Sequence, residues 1–225
     1  MLTVATHQRF VRPVQQSLRP YSANAAAEEL VFPELPTSNH HDLPSFLDYA
    51  SRTELNPKST TYVGTHYEFT VQTALEKLGM SLKRTGGKSD YGIDLLGTWP
   101  LPSAPFPLKV LIQCKALARK LEPAQARELE GAFVGAPTGW RGSGVLGLLV
   151  SKKPATKGVR EAIGKSRWPM GYVLCENDGK ILQLLWNQKA EQDGLLGIEV
   201  GVKYRGGEQS KKEIILSWEG KAIKP

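Results

Sequence analysis

Asp94 stands in an apolar run, Ile93-Asp94-Leu95-Leu96, shortly after the turn-forming residues Gly86-Gly87-Lys88-Ser89. A carboxylate in such surroundings shifts its pKa, finds a partner or binds a metal. One strand later, the run Val110-Leu111-Ile112-Gln113-Cys114-Lys115 is broken by Gln113 and Lys115 at a spacing of two. On a strand that spacing puts both side chains on one face. If the two runs pair, a carboxylate, an amide and an ammonium converge at one end of a sheet. Glu68, at the edge of a helical apolar stripe, can point to the same corner. Two carboxylates with backbone carbonyls and water make a Mg²⁺ (or Mn²⁺) site, since Mg²⁺ prefers octahedral oxygen coordination. Without a metal, Asp94 and Lys115 would be a buried ion pair stabilising a sheet. No Ser-His-Asp or Cys-His arrangement competes for the chemistry. Cys114 points by strand alternation away from Lys115, into a core.

The elements that must carry these residues follow from periodicity. Tyr67, Val71, Ala74, Leu75 and Leu78 recur at helical spacing from about Thr65, and Gly79 is the stop. Residues 80–84 alternate like a half-buried strand, and residues 93–96 form a short apolar one. Residues 99–107 hold four prolines and make a loop. Residues 108–114 read as a buried strand. Residues 122–133 form a second helix, with Pro123 in its first turn and Gly135 beyond its end. Residues 145–150 are a continuous buried strand, a lysine-rich loop leads to a helix over 159–164, and residues 172–175 form a further strand. Strands first contiguous and then separated by helices predict a mixed sheet covered by helices, an α/β sandwich. Residues 195–204 and 211–218, around Arg205-Gly206-Gly207, predict a terminal hairpin.

The 225 residues, 40% hydrophobic and 23% charged, suffice for one well-buried core. The longest aliphatic stretch, 145–150, is far short of the roughly 20 residues of a membrane-spanning helix, so no membrane insertion is expected. Cys114 and Cys175 form no CxxC pair, which fits reducing surroundings. The net charge is +7, and part of the excess sits near the start, where Arg9, Arg12 and Arg19 precede the first acid, Glu28. Residues 1–21 therefore read as a mitochondrial transit peptide, with Arg19-Pro20-Tyr21-Ser22 resembling a matrix-protease site cut after Tyr21. The alternative is a basic tail without an address. Losing three arginines leaves a moderate excess, so charge alone says little about nucleic acid. Residues 22–58 read as a flexible linker with one short helix around Phe46, Leu47 and Tyr49. His40-His41 lacks a third ligand nearby and reads as a loop.

Glu68, the segment Gly87-Lys88-Ser89-Asp90-Tyr91-Gly92-Ile93-Asp94-Leu95 and Gln113-Cys114-Lys115 together resemble the PD-(D/E)xK nuclease superfamily, in particular its Mrr-like branch. Glu128-Leu129-Glu130-Gly131-Ala132 looks like that family's next helix, and residues 149–160, with Ser151, Thr156 and Lys157, like its strand and phosphate-side loop. With the transit segment, the chain resembles the fungal mitochondrial family called required for respiratory growth protein 7. The resemblance spans about residues 62–187 and implies a restriction endonuclease-like three-layer sandwich over 59–190, its central mixed β-sheet flanked by helices, with residues 191–225 as a hairpin extension.

Carried over by position, Asp94 is the central metal ligand, Lys115 the residue that orients or helps deprotonate the attacking water, and Glu68 a supporting acid. Gln113 stands where many members have an acidic ligand, and offers the metal a neutral oxygen. Mrr-like members resemble this Gln-x-Lys form. Asp90 either restores some charge or caps its own loop. The implied reaction is metal-assisted hydrolysis of a phosphodiester. Lys152, Lys153, Lys157 and Arg160, gathered at a helix start, together with Lys88, are the expected backbone contacts to nucleic acid. Trp140 and Arg141 could touch a groove or sit in a plain loop. The expected function is that of a matrix-located, Mg²⁺-dependent DNA endonuclease in mitochondrial genome maintenance, with a homodimer as the form able to cut both strands. A catalytically inactive DNA-binding module and an RNA-processing nuclease share every residue named.

Overall fold

The computed structural model describes residues 30, 32, 39–85, 92–205 and 211–224. The expected transit segment, most of the segment before residue 39, the turn that holds Lys88 and Asp90, and the 206–210 turn lie outside the described residues.

Helix α1 (Leu43–Arg52) starts at a capping box, in which the Asp42 carboxylate accepts from Ser45 N at 2.8 Å and the Ser45 hydroxyl accepts from the backbone of Asp42. Its Phe46 and Ala50 pack with Phe69 of α2 (Thr60–Glu76), so this part of the expected linker lies against a helix of the domain. His40 lies among the rings of Phe46, Tyr49 and Phe69, at 5.0 to 5.5 Å. Helix α2 begins at Thr60, seven residues before Tyr67 opens the apolar period, because Ser59 caps it, accepting from Tyr62 N.

Strands β1 (Ser81–Arg84), β2 (Leu95–Trp99), β3 (Leu108–Lys115), β4 (Val145–Ser151), β5 (Met170–Cys175) and β6 (Ile181–Trp186) form one sheet in that spatial order. Neighbours β1, β2 and β3 run antiparallel, β3, β4 and β5 run parallel, and β6 returns antiparallel. Parallel neighbours need a crossover, and α3 (Pro123–Gly135) and α4 (Lys157–Lys165) supply it on either side of β4. Every residue of β4 is buried, as befits a central parallel strand covered on both faces.

One face of the sheet, with Val110, Ile112, Leu146, Leu148, Val150 and Val173, shares a hydrophobic core with Tyr67, Val71, Ala74 and Leu75 of α2. The Tyr67 hydroxyl donates to Cys175 O at 2.8 Å and ties that helix to β5. On the other face α3 lies over β4, where a Cβ on Gly147 would stand 2.7 Å from the Phe133 ring. Helix, sheet, helix is the expected α/β sandwich with a central mixed sheet.

Three details differ from the sequence reading. The second strand occupies 95–99, so Asp94 precedes it. Strand β6 was not foreseen, because Ile181–Trp186 is an edge strand whose burial does not alternate. After a short turn of helix, α5 (Gln188–Ala190), the expected hairpin is present as β7 (Ile198–Arg205) and β8 (Lys211–Trp218), extended by β9 (Lys221–Ala222). Its Ile198, Ile214 and Leu216 belong to the same hydrophobic core as β3 and β4.

Candidate active site

The parallel strands β3, β4 and β5 end on one side of the sheet, and that is where open α/β sheets bind ligands. Because β2 is antiparallel to β3, its beginning lies there too. The chain therefore brings Asp94, Gln113, Lys115, Ser151 and the loop 152–156 to one edge, and both crossover helices start from it.

Asp94 is half-buried and straddles Gln113 on the neighbouring strand. Its N–H donates to Ile112 O at 2.9 Å, and its Oδ2 accepts from Cys114 N at 2.6 Å. The side chain thus takes a place in the ladder that a backbone carbonyl would fill, which is why regular pairing starts only at Leu95. Gln113 is 4% exposed, and its Oε1 meets no hydrogen-bond partner among the described residues. Its amide lies beside Gly92, where a Cβ would come within 2.8 Å of Nε2; the glycine, at φ 77°, leaves the room. Lys115 shares a strand face with Gln113 and reaches α3, where its Nζ lies 2.7 Å from Glu128 Oε2.

Glu68 lies on α2, the other side of the sheet. Arg84, the last residue of β1, donates from Nε to Glu68 Oε2, and the guanidinium lies over the Phe69 ring. Glu68 thus sits near the corner with a cation of its own. Burial, with the Asp94 and Glu68 carboxylates close by, pushes the Cys114 thiol well up against the smaller opposing effect of Arg84. Cys114 packs against the core on the α2 side, as strand alternation required.

The basic residues after β4 arrive at the same edge in different states. Lys152 Nζ lies 5.8 Å from the Tyr67 ring centroid, and the Lys153 carbonyl accepts from the Tyr172 hydroxyl at 2.5 Å. Lys157 is exposed, 3.8 Å from Glu161, and Arg160 donates to Ala155 O at 2.8 Å. Thr156 caps α4, accepting from Val159 N, and its hydroxyl donates to Leu121 O, which ties this loop to the approach of α3. Trp140 is fully buried and contributes no groove contact; its ring packs against Phe32, while Arg141 donates to Ala136 O.

The family model for required for respiratory growth protein 7 matches residues 59–106 and 103–201. The chain belongs to this family. An uncharacterized mitochondrial protein of Schizosaccharomyces pombe is 31% identical over 155 residues, covering 67% of this chain and 61% of that protein. The required for respiratory growth protein 7, mitochondrial, of Saccharomyces cerevisiae is 28% identical over 175 residues, covering 59% and 72%. That of Zygosaccharomyces rouxii is 29% identical over 182 residues, covering 63% and 73%. The chain thus spans about three-fifths of the fission-yeast relative. Among solved structures, the MspJI restriction endonuclease in complex with a 27-mer oligonucleotide is similar at 13% identity and a TM-score of 0.35, over 58% of this chain and 28% of that one. That likeness is too slight to bear on the site.

The stretch matched to the family holds Glu68, Asp94, Gln113, Lys115, Glu128 and the basic loop. Two of the side chains at this edge were not foreseen as partners there, Arg84 and Glu128. Each acts by reaching from one element to another, and strand or helix periodicity carries no trace of such a pairing. Glu128 had one signal, its place in the helix directly after the Gln-x-Lys strand.

Among the described residues, no group of three or more His, Cys, Asp and Glu side chains gathers to hold a metal. What they offer is the Asp94 carboxylate and the unmatched, buried Oε1 of Gln113, hard oxygens of the kind that Mg²⁺ or Mn²⁺ takes.

Proposed function

We propose that this chain is a mitochondrial, Mg²⁺-dependent DNA endonuclease of the PD-(D/E)xK type, acting in the matrix in maintenance of the mitochondrial genome and through it in respiratory growth. The observation that carries the reading is the strand-end constellation: Asp94 pinned by Cys114 N–H, Gln113 with an unmatched buried oxygen, and Lys115 on the same strand face. The names of the relatives support the mitochondrial setting.

Asp94 and Gln113 would hold the cation, which supplies activation of a water and neutralisation of charge on the phosphate oxygens. The Cys114 N–H fixes the Asp94 carboxylate, so little side-chain freedom is lost on loading. Gln113 is oriented by burial against Gly92. Lys115 presents its Nζ toward the scissile phosphate, adding positive charge and orienting the attacking water. Lys152, Lys153 and Lys157 grip the backbone without reading bases, which makes binding salt-sensitive.

The test is incubation of the full chain with supercoiled plasmid in Mg²⁺, in Mn²⁺ and in EDTA, beside Lys115→Ala and Asp94→Asn. Metal-dependent nicking that falls by about 100-fold or more in both variants is the expected result. Salt-sensitive gel shifts with no cleavage by any preparation would replace this reading with the DNA-binding module, favoured then by the neutral Gln113. Cleavage of RNA alone would move the substrate and leave the site.

A further inference from the structure

Among the described residues, the strand end supplies oxygens suited to a divalent cation but little net negative charge. Asp94 carries one negative charge and Lys115 one positive, Gln113 carries none, and Glu68 is matched by Arg84. A cation of charge two approaching this set meets no net attraction, and a site of hard ligands depends on ligand charge for its affinity. Among the described residues, one further carboxylate touches a side chain of this set. Glu128, an exposed residue beside the buried stripe of α3, places Oε2 2.7 Å from Lys115 Nζ, and its side chain is 48% exposed.

Stability does not account for this contact. The pair is partly exposed, and such pairs contribute little to stability. What it does is bring a carboxylate on a flexible stem to the residue that stands two positions from the buried, unmatched amide oxygen of Gln113.

Resting on the metal-dependent reading above, we propose that Glu128 is the second acidic residue of the metal site, supplied from α3 where β3 offers only the amide of Gln113. With no cation bound, its carboxylate rests on the Lys115 ammonium. On loading, it turns to the cation and releases Lys115 to the phosphate. The helix acid thereby does two things that an acid at position 113 could not do together: it holds Lys115 in the empty site and frees it in the loaded one.

The experiment is titration of the full chain with Mn²⁺ alone, followed by electron paramagnetic resonance of the free ion, with no nucleic acid present. Glu128→Gln, Asp94→Asn and the double variant Gln113→Glu/Glu128→Gln are compared with the wild type, each checked for fold by circular dichroism. The expected result is a loss of Mn²⁺ affinity of roughly 10- to 100-fold in Glu128→Gln, and recovery of most of it when the acid is moved to β3 in the double variant. Affinity within twofold of wild type in Glu128→Gln overturns the proposal. In that event Asp94→Asn tells the two failures apart: weakened binding there leaves the metal site standing without Glu128, and unchanged binding, or no binding by the wild type, removes the metal site itself. A double variant no better than Glu128→Gln also overturns it, since a missing charge is then not what Glu128 supplies.

Discussion

Asp94 serves the sheet and the site with one carboxylate. Its Oδ2 closes the ladder at Cys114, so the asparagine variant can still accept that N–H while losing the charge, and Asp94→Asn separates chemistry from architecture. The two thiols behind this edge are held neutral, Cys114 by burial and by the Asp94 and Glu68 carboxylates, Cys175 by burial and by Asp178 and Glu176, the latter pushed up to about 12. A thiol whose pKa rises on folding binds its proton more tightly in the native state. Its contribution is complete below the unfolded value, near 9, and is lost as pH rises toward 12. Urea unfolding is therefore expected to show a lower midpoint at pH 10 than at pH 7, and Cys175→Ala a shallower decline; an equal decline would mean that this thiol is not the cause. The Asp94, Gln113 and Lys115 juxtaposition was legible in the sequence because a period of two is a property of the backbone. The Lys115 to Glu128 and Glu68 to Arg84 pairings were not, because long side chains choose partners across elements that the local pattern does not relate.

At the level of elements, the site depends on how closely β1 and β2 approach. Gly97 of β2 leaves no space above it: a Cβ there would lie 2.0 Å from Ser81 O and 2.7 Å from the Leu82 side chain. Gly97→Ala must push backbone aside, and a loss of about 1–3 kcal/mol or more is expected by urea unfolding, as for an overpacked core. Since Arg84 ends β1, the same variant is expected to disturb the Arg84 to Glu68 pair. Most elements could be read from the sequence, but their ends could not always be. β2 moved because Asp94 spends its side chain on the ladder, and α2 lengthened because a serine cap lies outside the apolar period. β6 escaped because an edge strand with incomplete burial has little pattern to show.

In the molecule as a whole, the strands at the end of the chain are part of the core that carries the site. Ile198, Ile214 and Leu216 share one hydrophobic cluster with Val110, Ile112, Leu146 and Val150. Leu216→Ala is expected to cost roughly 2–5 kcal/mol and to lower a single unfolding transition followed by tryptophan fluorescence. Two separate transitions would instead mark β7 to β9 as an independent appendage. The sequence could place this hairpin but not its packing, since contacts between residues a hundred positions apart leave no local pattern. A chain that enters a compartment N-terminus first, from a ribosome or through a membrane pore, presents β3 and β4 long before Ile214 and Leu216 arrive. Until they do, the apolar surface that these two side chains cover stays open to chaperones, so completion of this core waits on the last strands to be delivered.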